Sequence, residues 1–113
     1  MVLRILSVDR ADFCDIIGNV LDNAQKWARH RISIEGSKTP NAFLFTVDDD
    51  GPGVQDEQFD RILQRGERDD PSVPGSGLGL AIVSDLVSLY GGRIVLSRSA
   101  LGGLRAAITL SAV

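Results

Sequence analysis

The sequence predicts an α/β two-layer sandwich, α+β in its ordering, in which a mixed β-sheet is covered on one face by about three helices. Three observations predict it. Two segments carry apolar residues at helical spacing, and four short segments alternate apolar and polar residues as half-buried strands do. They arrive in the order helix, two strands, a long polar connection, helix, two strands. Helices of this kind bury their apolar stripes against a sheet, which makes two layers. The length of 113 residues suits one domain over 1–113 with a real core.

The lead-in VLRILSV, Val2 to Val8, is short and strand-like. From Asp12, a fair N-cap, Phe13, Ile16, Ile17, Val20, Leu21, Ala24 and Ala28 recur at helical spacing. RISIEG and AFLFTVDD alternate on either side of SKTPN, which has turn chemistry, so they read as an antiparallel hairpin with Phe43 and Phe45 in the core. The segment from about 50 to 77 is poor in aliphatics and rich in Gly, Pro, Asp and Arg, with one short helix expected around 56–63. A connection that long in a small domain is functional or misassigned. LGLAIVSDLVSLYG is a second helix, stopped by Gly91 and Gly92. RIVLSR and LRAAITL, joined by SALGG, close the chain as strands.

Hydrophobic residues at 43% and charged residues at 24% are those of an ordinary globular domain. A net charge of −3 argues against broad capture of nucleic acid or anionic membrane. The single cysteine, Cys14, excludes an internal disulfide, fits a reducing compartment, and reads as a small core residue. LGLAIV is too short to span a bilayer and the N-terminus lacks a signal-peptide layout, so a cytoplasmic location is expected.

Three constellations stand out. On the first helix, Asn19, Asn23 and Lys26 fall within about 60° of one another beside the apolar arc, with Asp15 and Asp22 near the same stripe. Amide oxygens can ligate a hard cation and a lysine can reach phosphate, although a polar helix face with local hydrogen bonding would look the same. In VDDDGPGV, Gly51 and Gly53 allow close approach to a ligand, and Asp49 can accept hydrogen bonds from an amino group such as that of adenine. The alternative is an Asp/Gly/Pro turn after a strand. In PGSGLGLAI, glycines 75, 77 and 79 run into a helix start, where free N–H groups and the dipole favour phosphate; the spacing matches neither a P-loop nor a dinucleotide fingerprint. Arg65 and Arg68 could close on phosphates or be ordinary solvated charges. Trp27 reads as packing before base stacking, and His30 as a structural residue at the helix C-terminus.

NVLDNAQKWA resembles the N box, DDDGPGV the first glycine box and GSGLGLAI the second glycine box of bacterial sensor histidine kinases, within the GHKL superfamily and its Bergerat ATP-binding fold. LYGGRIVLSRSALGGLRAAITL resembles the closing strands, so the likeness runs from Asp12 nearly to the end; within the family it leans toward the magnesium-responsive PhoQ-type kinases. The resemblance implies a catalytic ATP-binding domain with a mobile lid over about 50–77. Asn19 would contact Mg²⁺, Asn23 would serve metal or phosphate, and Lys26 would reach phosphate. Asp49 would read the adenine amino group in a pocket shaped by Gly51, Gly53 and Val54, with Trp27 beside the nucleotide. Arg68, and less closely Arg65, would stand near the phosphates. Gly75, Ser76, Gly77, Leu78, Gly79 and Leu80 would form the phosphate loop, Ser76 adding a metal contact. Asn19, Lys26 and Arg68 would be the catalytic set. The family's aromatic-rich lid box is degraded, since Leu63 and Gly66 stand where aromatics are usual.

The resemblance further implies γ-phosphoryl transfer from Mg-ATP to a histidine on a separate dimerisation domain, absent here. A response regulator would act downstream of an inner-membrane parent, with no nucleic-acid or direct membrane contact by this domain, which would be monomeric in isolation. Hydrolysing relatives carry a glutamate general base where Asn19 stands, and an amide cannot activate water. The rival readings are an anti-sigma-type protein serine kinase and a catalytically silent nucleotide-binding module.

Overall fold

The computed structural model describes residues 8–53, 58–59 and 78–111. Helix α1 spans Arg10–Trp27, starting before the expected Asp12 because Asp9 is the cap: its Oδ1 accepts from the N–H of Ala11 at 2.7 Å and of Asp12 at 3.4 Å. Strand β1 (Ile32–Lys38) and β2 (Ala42–Asp49) follow, then helix α2 (Leu78–Leu89), β3 (Arg93–Arg98) and β4 (Leu104–Ser111). The hairpin turn between β1 and β2 is tighter than SKTPN suggests. Ser37 and Lys38 pair in β1, and Thr39 closes the turn by donating its N–H to the Ala42 carbonyl at 2.8 Å and accepting from the Ala42 N–H on Oγ1 at 3.1 Å. Helix α2 stops at Gly91, whose φ of 74° suits only a residue without Cβ, with the Gly92 N–H capping the Val87 carbonyl at 2.9 Å.

The sheet order is β1-β2-β4-β3, and every described pairing is antiparallel. The mixed sheet expected from the sequence is thus antiparallel over these four strands, and two helices cover it; the lead-in at 2–7 and most of the 56–63 helix lie outside the described residues. Alternation along the strands sends Val47, Ile94, Leu96, Leu104, Ala106, Ile108 and Leu110 to the helical side. There they meet Ile16, Val20 and Ala24, one row of α1 at spacing four, and Leu80, Val83 and Val87 of α2. Burying each of the larger aliphatics contributes roughly 1.5–3 kcal/mol, so this one cluster dominates the stability of the domain. Phe45 packs against the cluster while Phe43, half-buried, stacks on it with ring centroids 6.5 Å apart, which places this pair at the margin of the core. Cys14 is exposed on α1, not in the core, because it falls outside the Ile16–Val20–Ala24 row.

Two polar ties hold the layers in register. The Tyr90 hydroxyl, just past α2, donates to Asp12 Oδ2 and accepts from the Asp9 N–H at 3.2 Å, so the end of α2 is pinned to the start of α1. At the other end of α1, the Asp50 carboxylate accepts from the N–H of Arg29 at 2.7 Å and of His30 at 3.0 Å, fastening the helix exit to the end of β2. His30 therefore contributes its backbone amide beyond the helix, its side chain staying exposed.

Both ties are pH-dependent. The hydrogen bond to Asp12 raises the Tyr90 pKa above its ordinary 10.0. Its stabilisation is complete below pH 10 and is lost as the hydroxyl ionises above that. Tyr90→Phe is expected to lower the melting temperature at pH 7–9, and the gap from wild type should narrow above pH 10. The backbone N–H of His30 foremost, with Arg31 and Arg29, holds Asp50 down to about 2 from 3.8. Here the stabilisation is complete above the unfolded value and lost as pH falls toward 2. Urea unfolding of Asp50→Asn should show reduced stability at pH 7 and a difference from wild type that closes between about pH 4 and pH 2.

Candidate functional site

The three consecutive aspartates that end β2 have three different jobs. Strand alternation turns Asp48 to the outer face, where its carboxylate, 7% exposed, meets Arg105 Nε at 2.8 Å. That carboxylate raises the Arg105 pKa above its ordinary value. Asp50 has left the strand and holds the α1 exit. Asp49, at 2% exposure, faces the helical side and is the one with chemistry to offer.

Asp49 Oδ1 accepts the N–H of Gly51 at 2.9 Å and of Leu104 at 3.2 Å. Among the described residues both donors go to Oδ1, which leaves Oδ2 as the acceptor for an incoming N–H. Two glycines make this arrangement possible. A Cβ on Gly51 would lie 2.2 Å from the Trp27 carbonyl oxygen, so α1 ends hard against the turn after β2. A Cβ on Gly103 would lie 2.0 Å from Asp49 Oδ1 itself. The Gly103 N–H also donates to the Asp49 carbonyl at 3.1 Å, so the turn between β3 and β4 is laced to Asp49 by main chain and side chain together. Gly53, at φ 70°, backs onto the same turn, its missing Cβ 3.4 Å from the Gly103 carbonyl oxygen.

About 12 Å back along α1, at the 1.5 Å rise per residue from Trp27, lies Asn19. Its Nδ2 donates to the Asp15 carbonyl at 2.7 Å, one turn earlier in the same helix. The amide is thereby oriented with Oδ1 outward, and that oxygen faces Gly79 in the first turn of α2. A Cβ at Gly79 would sit 3.4 Å from Oδ1 and cover it. The sequence stripe resolves accordingly: Asn19 and Asn23 are half-buried on α1, Lys26 is exposed one turn on, and Trp27 is half-buried at the helix end. Leu80, grouped with the phosphate loop in sequence, is spent on the core at 3% exposure. Val54, Arg65, Arg68, Gly75, Ser76 and Gly77 lie outside the described residues, as does the side chain of Leu78.

The described residues contain no cluster of three His, Cys, Asp or Glu side chains able to hold a metal by themselves. A hard cation that keeps waters and phosphate oxygens needs only one or two protein oxygens, and Asn19 Oδ1 fits that requirement. What the sequence reading missed is the contribution of Gly103 and of the Leu104 N–H. The signal was the Gly102-Gly103 pair in SALGG, which is indistinguishable from an ordinary hairpin turn until Asp49 is seen against it.

Comparison with known proteins shows the family. Residues 8–113 match the family model described as histidine kinase-, DNA gyrase B- and HSP90-like ATPase. The sensor protein kinase CarS of Pseudomonas aeruginosa is 43% identical over 102 residues, 90% of this chain and 23% of that protein. The virulence sensor histidine kinase PhoQ of Salmonella typhimurium is 38% identical over 97 residues, 86% of this chain and 20% of that protein. The chain thus spans under a quarter of these relatives' length. Among solved structures, the mycobacterial sensor histidine kinase MprB superimposes with a TM-score of 0.84 at 29% identity, covering 96% of this chain and 78% of that one. Full-length ShkA, crystallised with AMPPNP, gives 0.80 at 28% identity, covering 96% of this chain and 23% of that one. The chain belongs to the histidine kinase-, DNA gyrase B- and HSP90-like ATPase family, and its relatives there are sensor histidine kinases.

Proposed function

We propose that this domain binds Mg-ATP and passes the γ-phosphoryl group to a histidine on a separate helical dimerisation domain of a longer sensor kinase. The observation that carries this reading is Asp49: a carboxylate at 2% exposure whose two described N–H donors, from Gly51 and Leu104, both go to Oδ1, so that among the described residues Oδ2 is the oxygen available to a ligand. A fixed acceptor of that kind suits the exocyclic amine of adenine and rejects a carbonyl in its place. Gly51 and Gly53 let the turn after β2 pack against Trp27 and Gly103, which holds Asp49 in place. The phosphates would then lie where Asn19 Oδ1 faces the start of α2, with the helix dipole drawing them in.

Magnesium would be held there by Asn19, with Asn23 and Ser76 as further contacts, and would neutralise charge on the transferred group. Lys26, Arg65 and Arg68 would do the same as fixed cations, and Gly75, Gly77 and Gly79 would offer backbone N–H groups. The chain's own part in the chemistry is positioning. Asn19 cannot take a proton from water, because an amide is not a base at neutral pH. Hydrolysis by the domain alone should therefore be feeble. The productive acceptor is an imidazole nitrogen brought by the partner: a P–N bond forms, the bond to the β-phosphate oxygen breaks, and ADP leaves. A response regulator would take the phosphoryl group onward. The natural setting would be the cytoplasmic side of a membrane-bound parent. No described helix is long and apolar enough to cross a membrane.

Two measurements test this. Titration of ATP into Asp49→Asn should give a Kd raised roughly 10- to 100-fold, the equivalent of about 1.5–3 kcal/mol for a hydrogen bond to a charged group. An unchanged Kd removes Asp49 from the site. Incubation with radiolabelled ATP and the parent's dimerisation helices should yield acid-labile, base-stable phosphate on those helices. Acid-stable phosphate would point to a serine kinase, and none at all to a binding module.

A further inference from the structure

The turn between β3 and β4 forms no part of the segments that resemble the N box or the glycine boxes, yet it supplies one of the two described N–H donors to the Asp49 carboxylate. Ser99 closes this turn: its N–H donates to the Gly103 carbonyl at 2.8 Å, its carbonyl accepts from Gly102 at 3.0 Å, and its Oγ accepts from the Leu101 N–H at 3.0 Å. Closure puts Gly102 at φ 106° and delivers two successive backbone N–H groups to one aspartate, Gly103 to the carbonyl and Leu104 to Oδ1. The space is tight. A Cβ at Gly103 would be 2.0 Å from Asp49 Oδ1, 2.6 Å from the Asp49 carbonyl oxygen and 2.7 Å from the Gly51 nitrogen. No real side chain fits, so either the carboxylate or the turn must move.

From this we infer that Gly103 and the Leu104 N–H are positioning elements for base selection: they hold Asp49 Oδ1 so that Oδ2 alone, as a fixed acceptor, meets the 6-position of a purine. The inference rests on the proposed adenine role of Asp49 and adds a determinant that lies some fifty residues further along the chain. A carboxylate free to rotate would lose its directional preference for an amine, because water or a neighbouring N–H could satisfy either oxygen. With Oδ1 clamped, a 6-carbonyl presents an acceptor to an acceptor, and the wrong base is refused by repulsion.

The experiment compares ATP with inosine triphosphate, which differs in carrying oxygen for the amine at position 6, and with inorganic tripolyphosphate, which has no base. The intact domain should bind ATP at least tenfold more tightly than inosine triphosphate. A lack of preference there would overturn the adenine reading itself, before any variant is made. In Gly103→Ala, checked for folding by its thermal melt, the ATP-to-inosine-triphosphate ratio should shrink by tenfold or more while tripolyphosphate affinity stays within twofold. A ratio unchanged in a folded Gly103→Ala domain overturns the positioning role. Should Gly103→Ala fail to fold, the Leu104 backbone amide is replaced by an ester through the leucine α-hydroxy acid, which removes the N–H and leaves the side chain. The ester variant should lose the same discrimination, and full retention of it would equally overturn the inference. A purely structural weakening would lower all three affinities together and leave their ratios intact.

Discussion

Three carboxylates in a row at the end of one strand are a constraint that the surrounding chain has to answer. Adjacent side chains on a strand point to opposite faces, so Asp48 and Asp49 cannot share a donor, and Asp50 has already left the strand. Two of the three are buried to 5% or less. A buried carboxylate without partners costs several kcal/mol, enough to consume much of the stability of a domain this size. Each is met from a different part of the chain: Asp48 by Arg105 on β4, Asp49 by Gly51 and Leu104, Asp50 by Arg29 and His30. The exit of α1, the β3–β4 turn and β4 itself are therefore brought to one place. The site is built where they converge.

Helix α1 serves both the core and the site with adjacent rows. Ile16, Val20 and Ala24 run down one row and bind the helix to the sheet, while Asn19 and Asn23 occupy the next. Asparagine within a helix ordinarily costs stability because its side chain competes for backbone partners. Asn19 turns that habit to use: Nδ2 bonds the Asp15 carbonyl one turn back, without breaking the helix, and so the amide oxygen is aimed away from it. A glutamine or glutamate in this place would have another rotatable bond and no such local tether. Orientation of a neutral oxygen toward the start of α2 is a property of this residue type at this spot.

Much of this was legible in the sequence, for identifiable reasons. β2, β3 and β4 are found within a residue of their expected bounds, because alternation over six to eight residues leaves little freedom of register. The end of α2 is equally plain, since Gly91 takes the positive φ that the pair of glycines promised. The start of α1 was displaced because Asp9 and Asp12 are both good caps, and only Tyr90, remote in sequence, decides between them by claiming Asp12. Cys14 was misplaced because one helical position beside an apolar row cannot be told from the row itself by composition. In the candidate site, Asn19, Asp49, Gly51 and Gly79 are singled out by residue type alone. Gly103 and Leu104 are not, because their contribution is a missing Cβ and a main-chain N–H, and neither leaves a mark on side-chain chemistry.

The two ends of the candidate site differ in what builds them, and the difference fits what the proposed function asks of each. The Asp49 end is made from backbone N–H groups, glycines and strand ends that are also fold-bearing, so it cannot shift without disturbing the sheet. Discrimination between an amine and a carbonyl needs that rigidity, since an acceptor that could reorient would satisfy both. The Asn19 end has, among the described residues, an oriented amide and the first turn of a helix. Phosphoryl transfer asks little of a protein beyond alignment and neutralised charge. A surface that aligned a triphosphate without itself attacking it would be incomplete as a hydrolase and complete as a donor. On the proposed function the nucleophile would come from outside, and its arrival would be the step that a longer sensor protein controls.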